Sequence, residues 1–76
     1  MVKLNQLPKG TNGMVTGLSA EGIMRRRLMD LGFVKGTTVT VLRKSPLGDP
    51  TAYRVRGAVI ALRKEEASLI EVQAAP

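Results

Sequence analysis

Residues 38–62 read TVTVLRKSPLGDPTAYRVRGAVIAL, and this stretch decides the fold. Apolar and polar side chains alternate in three short segments, and a period of two predicts β-strands. The predicted strands span residues 38–43, 51–56 and 58–62. The loop from Pro46 to Pro50 holds two prolines and a glycine, so it is stiff and loses little entropy when its tip binds a partner. The stretch therefore predicts antiparallel strands that carry one rigid loop.

A short basic helix is predicted before these strands, over about residues 20–31. Its apolar side chains recur at helical spacing at Ala20, Met24, Leu28 and Leu31. Ser19 is placed to cap the N-terminus of this helix. Gly32 suits a left-handed C-cap, and Phe33 follows it where a closing hydrophobic contact is often found.

The rest of the chain completes a small, mostly β domain. Four further elements are predicted: a turn over 4–7, a strand over 14–18, a helical turn over 64–67 and a strand over 69–72. Gly17 predicts a bend or bulge in the first of these strands. About five short antiparallel strands, one inserted α-helix and a single helical turn before the last strand describe a small half-open barrel. The chain has 76 residues, which suits one domain, expected over 1–72 with a flexible C-terminal tail over 73–76.

The composition argues against metal, cofactor and catalytic sites. The chain has no cysteine and no histidine, so a metal site would need carboxylates and carbonyls alone. Glu65 and Glu66 diverge on a helical turn, and Asp30, Asp49 and Glu71 lie on separate predicted elements. The serines have no histidine as a base, and the chain has no Ser-x-x-Lys pair and no phosphate-binding glycine loop. We expect a protein that is not an enzyme and has no cofactor.

The charge favours acidic partners. Twelve Lys and Arg against six Asp and Glu leave a net charge of +6, which suits nucleic acid, anionic lipid or an acidic protein surface. No run of 18 apolar residues and no secretory signal is present, so we expect a cytoplasmic protein that does not insert into a membrane.

Five motifs occur together between Leu4 and Val72. They are Arg27-Leu28-x-x-Leu31-Gly32, Gly36 before an alternating strand, Pro46-Leu47-Gly48-Asp49-Pro50, Ala61-Leu62-Arg63 and Ala67-x-x-Ile70-x-Val72. As a set they resemble the FeoA family of small bacterial ferrous-iron transport accessory proteins. The resemblance implies an SH3-like β-barrel with an inserted helix. It also implies a partner, the large membrane permease FeoB with its GTP-binding domain. The same fold resembles the C-terminal domain of metal-dependent repressors of the diphtheria-toxin-repressor type.

The first candidate partner-binding surface lies on the predicted helix. Met29 falls off the apolar stripe, and an exposed thioether adapts to irregular partner surfaces. Arg25 and Arg26 flank it with guanidinium groups that can fork onto carboxylates. The alternative is a solvated basic face with one incidental methionine. Arg27 is expected to have a structural role, with its stem on the barrel and its head on backbone carbonyls or Asp30.

The second candidate surface is the rigid loop. Leu47 is an apolar side chain at an exposed tip, and with Pro46 and Asp49 it forms a second set of candidate partner-binding residues. The alternative is that the loop only enforces a wide hairpin, with Asp49 accepting backbone hydrogen bonds. A further stripe, Arg54, Arg56 and Arg63, is expected to be a solvated face.

These patterns predict a non-catalytic cytosolic accessory protein that docks on FeoB and modulates transport. It would be a monomer or weak homo-oligomer, held at the inner membrane face through its partner. The alternatives are a basic nucleic-acid-binding barrel or an orphan regulatory domain. Phe33 and Tyr53 are the only aromatic residues, and both are expected in the core. Surface aromatics are needed for single-strand stacking and for SH3-type recognition of proline-rich peptides, so we expect neither.

Overall fold

The computed structural model describes residues 2–75, and within them six antiparallel strands form one sheet. The strands are β1 (Val2–Lys3), β2 (Asn12–Leu18), β3 (Thr38–Lys44), β4 (Thr51–Val55), β5 (Ala58–Leu62) and β6 (Ile70–Ala75). The helical elements are a 3-10 turn (Leu4–Gln6), α1 (Gly22–Asp30) and α2 (Lys64–Ala67). The strand order is β1-β6-β2-β3-β4-β5, so β1 and β5 are the two edges. The mostly β class with one inserted helix and a helical turn before the last strand is confirmed, and β1 is an additional short strand.

The core consists of the inward faces of the strands, closed by one side of α1. Among the most deeply buried side chains are Leu4, Leu28, Phe33, Val39, Val41, Tyr53, Val55, Leu62, Ile70 and Val72. The alternation predicted for β3 and β4 is confirmed, because Val39, Val41, Tyr53 and Val55 all point inward. Full burial of such a side chain contributes about 1.5–3 kcal/mol. Leu28 is therefore the main anchor of α1 on the barrel.

Helix α1 begins later than predicted, and Ser19 does not cap it. The Ser19 amide donates to the Leu69 carbonyl at 2.7 Å, and its hydroxyl donates to Glu71 Oε2 at 3.0 Å. Both contacts hold Ser19 against the start of β6. Gly22 then has φ +60°, a left-handed conformation that separates the helix from the segment before it. The helix therefore spans residues 22–30, with Glu21 in the N-cap position.

The end of α1 follows the prediction. The Phe33 amide donates to the Leu28 carbonyl at 3.0 Å, and the Gly32 amide donates to the Met29 carbonyl at 3.0 Å. These two bonds define a Schellman motif, in which the residue after the C-cap is left-handed. Gly32 has φ +109°, and a Cβ there would lie 3.3 Å from the Val55 side chain. Phe33 is fully buried and closes the helix against the barrel.

The C-terminal strand is longer than predicted. Residues 73–75, expected in a flexible tail, instead extend β6 and pair with β2, where Asn12 faces Ala75 and Met14 faces Gln73. The prediction was wrong because β2 starts at Asn12, so its backbone groups offer these residues ladder partners. Pro76 lies outside the described residues. The bulge predicted at Gly17 is confirmed by a register shift between Val15 and Gly17.

The hairpin between β4 and β5 has a two-residue turn. Arg56 (φ +52°) and Gly57 (φ +79°) are both left-handed, which is the conformation of a type I′ turn. Arg56 therefore belongs to the turn and not to the strand predicted to include it. The register pairs Val55 with Ala58 and continues to Thr51 with Leu62.

Candidate partner-binding surfaces

The described residues provide no obvious metal centre. Within residues 2–75 no three His, Cys, Asp or Glu side chains come together in a group that could hold a metal ion. In the same part of the chain, neither helix is long and apolar enough to cross a membrane. The surface features that remain are those of α1, of the rigid loop and of the sheet edges.

The structure brings the three candidate residues of α1 together. We call Arg25, Arg26 and Met29 the α1 face. With Gly22 and Asp30 they line a shallow hollow of about 350 Å³. The Met29 side chain is 42% exposed, so its thioether is available at the surface between two guanidinium groups. The hollow combines an apolar contact with positive charge.

A second hollow adjoins the first and shares Arg25 and Met29 with it. It has a volume of about 370 Å³ and is completed by Thr16, Gly17, Leu18, Phe33, Val34 and Lys35. The Arg25 Nη1 atom donates to the Leu18 carbonyl at 3.4 Å, so this guanidinium leans over the end of β2. The Thr16 hydroxyl oxygen is buried with no hydrogen-bond partner in the described structure. Arg25 and Met29 thus link the helix to the bulged end of β2.

Arg27 has a structural partner, although not the predicted one. Its guanidinium forms an ion pair and hydrogen bond with the Glu66 carboxylate on α2, and not with Asp30. Glu66 also accepts a 2.9 Å hydrogen bond from the Arg63 amide. The Arg63 amide is the main cause that lowers the pKa of Glu66 below its usual value, and the Arg27 contact adds to it. Arg27 therefore ties α1 to α2 and does not belong to the α1 face.

Ile23 is an exposed apolar residue of α1 that sequence reasoning missed. Its side chain is 89% exposed. The sequence does contain a signal for this exposure. Ile23 lies off the apolar stripe that runs through Met24 and Leu28, and an aliphatic residue there cannot reach the core. Ile23 adds apolar surface to the solvent side of the same helix.

The rigid loop presents Leu47 at its tip. The Leu47 side chain is 94% exposed, while Ser45 holds the base of the loop. The Ser45 amide donates to the Pro50 carbonyl at 3.0 Å, and the Gly48 amide donates to the Ser45 carbonyl at 2.8 Å. This turn places Pro46 at the position that its fixed φ favours. The loop is therefore ordered by internal bonds, with an apolar tip that is almost fully exposed.

Asp49 is turned toward α2. Its Oδ1 atom accepts a 2.8 Å hydrogen bond from the Lys64 amide, and its Oδ2 atom lies 3.9 Å from Arg63 Nη1. The predicted acceptance of a backbone hydrogen bond by Asp49 is confirmed. Asp49 holds the loop on the barrel, whereas Pro46 and Leu47 are exposed.

Both aromatic side chains are buried. Phe33 is fully enclosed and Tyr53 is 2% exposed, as expected from the sequence. Burial raises the pKa of the Tyr53 phenol. The surface therefore has no aromatic platform for stacking bases or proline-rich peptides.

The fold places the chain in the class of small SH3-like barrels with an inserted helix. The chain belongs to the FeoA family, because the model of the FeoA domain matches residues 2–74. This is a family of ferrous-iron transport accessory proteins and not of known enzymes.

Relatives agree in sequence and in structure. The FeoA protein from Chlorobium tepidum has a TM-score of 0.91 and 43% identity, over 99% of this chain and 71% of that one. The FeoA of Stenotrophomonas maltophilia, described as an SH3 domain protein complexed with zinc, has a TM-score of 0.85 and 35% identity, over 96% of this chain and 91% of that one.

One relative joins this domain to a much larger chain. A protein of Porphyromonas gingivalis, described as a fusion of Fe(2+) transport protein A with the Fe(2+) transporter FeoB, is 36% identical over 72 residues. The match covers 95% of this chain and spans 8% of the length of the fusion protein.

The predicted likeness to metal-dependent repressors is confirmed for the fold. A manganese-dependent transcriptional repressor has a TM-score of 0.84 at 22% identity, over 96% of this chain and 41% of that one. At this identity the likeness concerns the fold alone.

Proposed function

We propose that this chain is a non-catalytic accessory protein of ferrous-iron uptake that docks on the cytosolic part of a FeoB-type permease and modulates transport. One observation carries the proposal: the Porphyromonas gingivalis relative, in which a matching domain is fused to FeoB. A covalent fusion keeps two domains at a high effective concentration. Separate chains that perform the same function lack this link, so they need a docking surface to associate.

The α1 face is the surface that best suits this docking. Its methionine supplies adaptable apolar contact, and Arg25 and Arg26 supply charge-assisted hydrogen bonds to carboxylates. Arg27 is engaged by Glu66 and so is not counted in the contact surface. The partner surface that fits is apolar at its centre and acidic at its rim.

The exposed tip of the rigid loop is the second proposed contact. Leu47 is held on an ordered turn, so little conformational entropy is lost when a partner covers it. Pro46 stiffens the turn beside it, and Asp49 positions the loop through Lys64. The proposed protein acts in the cytoplasm, reaches the membrane only through its partner, and works as a monomer or weak homo-oligomer without nucleic acid.

Co-purification with the permease from the same genome tests the proposal. The wild-type chain should be retained by the tagged permease, and Met29→Arg and Leu47→Asp should each reduce retention at least about tenfold, which corresponds to about 1.4 kcal/mol of binding free energy. Circular dichroism confirms that each variant is folded. Met14→Arg is the matched control, because Met14 is 38% exposed but lies on β2 outside the α1 face.

Two results would overturn the proposal. If the wild-type protein did not co-purify with the permease, the permease would not be its partner. Binding of duplex DNA with a log–log salt slope of several units, at about −0.9 per phosphate contacted, would instead favour the nucleic-acid alternative.

A further inference from the structure

The outer edge of β5 has no strand partner. Its five residues pair with β4 on one side, and β5 is the last strand of the sheet. Within residues 2–75, no backbone hydrogen bond joins Ala58–Leu62 to any element other than β4. The other edge, β1, is only two residues long. The sheet therefore has one extended edge that is open along its length.

The hairpin geometry determines which backbone groups face outward. In a two-residue hairpin the closing pair exchanges both hydrogen bonds, and bonded pairs then alternate along the ladder. Val55–Ala58 is the closing pair, so Ile60 and Leu62 also bond to β4. The N–H and C=O groups of Val59 and Ala61 therefore point away from the sheet. They form a spaced set of donors and acceptors for an added strand.

This edge lacks the features that usually prevent strand addition. Natural edge strands are protected by lysines, prolines, bulges or short length. The sequence of β5 is AVIAL, with no charge and no proline, and its pairing with β4 is regular. Val59 is 56% exposed, and Ala61 is exposed beside it. An apolar, unprotected edge is a site for β-strand addition.

A groove next to this edge can receive a side chain of the added strand. It has a volume of about 510 Å³, and Ala52 and Ala61 face each other across its floor. Pro46 and Pro50 of the rigid loop line it as well. In an added strand, the residue opposite Ala61 would point to this same outer face. The groove therefore accommodates one apolar side chain of the partner.

The charges around the edge determine the chemistry of the partner. The segment from β3 to the start of α2 carries Arg43, Lys44, Arg54, Arg56 and Arg63, all exposed. Its single acidic residue, Asp49, is already bound to the Lys64 amide. Carboxylates on an incoming strand would meet these guanidinium and ammonium groups, whereas a basic strand would be repelled.

We propose that the β5 edge binds an acidic, extended segment of a protein partner by strand addition. The inference rests on the proposed function only in that the chain acts by binding another protein. A second copy of this chain is a poorer occupant, because pairing β5 with itself would bring two arginine-rich faces together. A nucleic acid would use the arginines but would leave the edge amides of Val59 and Ala61 unpaired.

Amide hydrogen exchange by NMR tests the inference on the isolated chain. In the free protein, the amides of Val59 and Ala61 should exchange faster than those of Ile60 and Leu62. The probe is a peptide of about ten residues with the repeat Glu-Thr-Val-Thr, in which Glu and Val alternate along one face of the strand and Thr occupies the other. At about 90% occupancy it should slow exchange at Val59 and Ala61 about tenfold, because exchange then occurs only from the free state. The matched control is the same peptide with Lys in place of Glu, which should leave all four rates unchanged.

Two variants test the backbone groups of the edge and the surrounding charge separately. Ala61→Pro removes one outward N–H while the ladder bonds to β4 remain, and proline is tolerated at that type of position. It should weaken peptide binding at least about tenfold, or about 1.4 kcal/mol. Val59→Glu keeps the backbone intact and should weaken binding of the acidic peptide by repulsion, so the test does not depend on folding of the proline variant. Met14→Glu is the matched control, because it adds the same charge at an exposed site on β2, with two strands between it and the edge, and should bind as the wild type does.

Several results would overturn the inference. Equal binding of the control peptide with Lys in place of Glu would show that the surrounding charge does not select the partner. Protection of Val59 and Ala61 by a DNA oligonucleotide, or by raising the protein concentration alone, would identify a different occupant. Unchanged exchange at saturating peptide would eliminate strand addition. The permease is absent from all of these measurements. A negative peptide result would therefore not affect the co-purification result, and a negative co-purification result would not affect the peptide measurement.

Discussion

The α1 face and the β5 edge, the two proposed binding surfaces, differ in the kind of contact that each would make. On α1, the proposed contact groups are flexible side chains around Met29, which would adapt to a partner. On β5, the proposed contact groups are the backbone amides and carbonyls of Val59 and Ala61, whose spacing the sheet fixes. The two proposals therefore predict side-chain fit on α1 and backbone register on β5.

The two surfaces also differ in what supports them. The α1 face depends on the anchoring of a nine-residue helix by Leu28, by the Schellman motif and by the Arg27–Glu66 ion pair. The β5 edge depends on the pairing of β4 with β5, one of the more regular parts of the sheet. Variants that loosen one support should therefore leave the other surface intact unless the whole domain unfolds.

The largest expected effect follows from Leu28→Ala. Leu28 is fully buried, and removal of such a side chain leaves a cavity that costs about 2–5 kcal/mol. Urea unfolding measures the loss. Ile23→Ala on the same helix is the matched control, with a change within about 0.5 kcal/mol because Ile23 is exposed. Equal effects of the two variants would contradict the anchoring assigned to Leu28.

A smaller effect is expected from Asp49→Ala. The variant leaves the Lys64 amide without its acceptor and releases the loop from α2, at a cost of about 1 kcal/mol. Asp49→Asn keeps an acceptor oxygen and should recover most of the loss. Unchanged stability in both variants would show that the bond to Lys64 does not hold the loop.

The carboxylate of Glu66, which accepts from the Arg63 amide and pairs with Arg27, predicts a pH dependence of stability. The pKa of Glu66 is lowered in the folded state, so its contribution to stability is complete above the usual carboxyl pKa of 4.5 and is lost as the pH falls through the lower folded value. The wild type should therefore be more stable than Glu66→Gln at neutral pH, and this difference in the free energy of unfolding should disappear in acid. The difference at neutral pH should be below about 1 kcal/mol, because Arg27 is half exposed. Parallel stability curves of the two proteins down to acid pH would refute this account.

The smallest effect concerns coupling between the surfaces. No residue of the α1 face belongs to the β5 edge, so Met29→Arg and Ala61→Pro should act independently on stability. Their effects on the free energy of unfolding should add within about 0.5 kcal/mol. A larger coupling energy in the double-mutant cycle would mean that the barrel transmits changes between them.

The sequence predicts those parts of the molecule that depend on local spacing. The alternation of β3 and β4, the end of α1 at Gly32 and the burial of both aromatics all follow from neighbours within a few residues. The grouping of Arg25, Arg26 and Met29 follows from helical spacing in the same way.

The rest depends on contacts between distant parts of the chain. Ser19 is held by Leu69 and Glu71, which no local pattern near a helix start can indicate. Arg27 finds its partner 39 residues away, and the last residues of β6 are ordered by Asn12. The open edge of β5 becomes visible only when the strand order of the whole sheet is known.

Docking through the α1 face is tested most directly by measuring the affinity of the chain for a FeoB-type permease. Fluorescently labelled wild type, Met29→Arg and Met14→Arg should be titrated with the permease in lipid nanodiscs. We expect Met29→Arg to raise the Kd at least about tenfold and Met14→Arg to leave it unchanged. Equal Kd values for all three proteins would contradict docking through the α1 face.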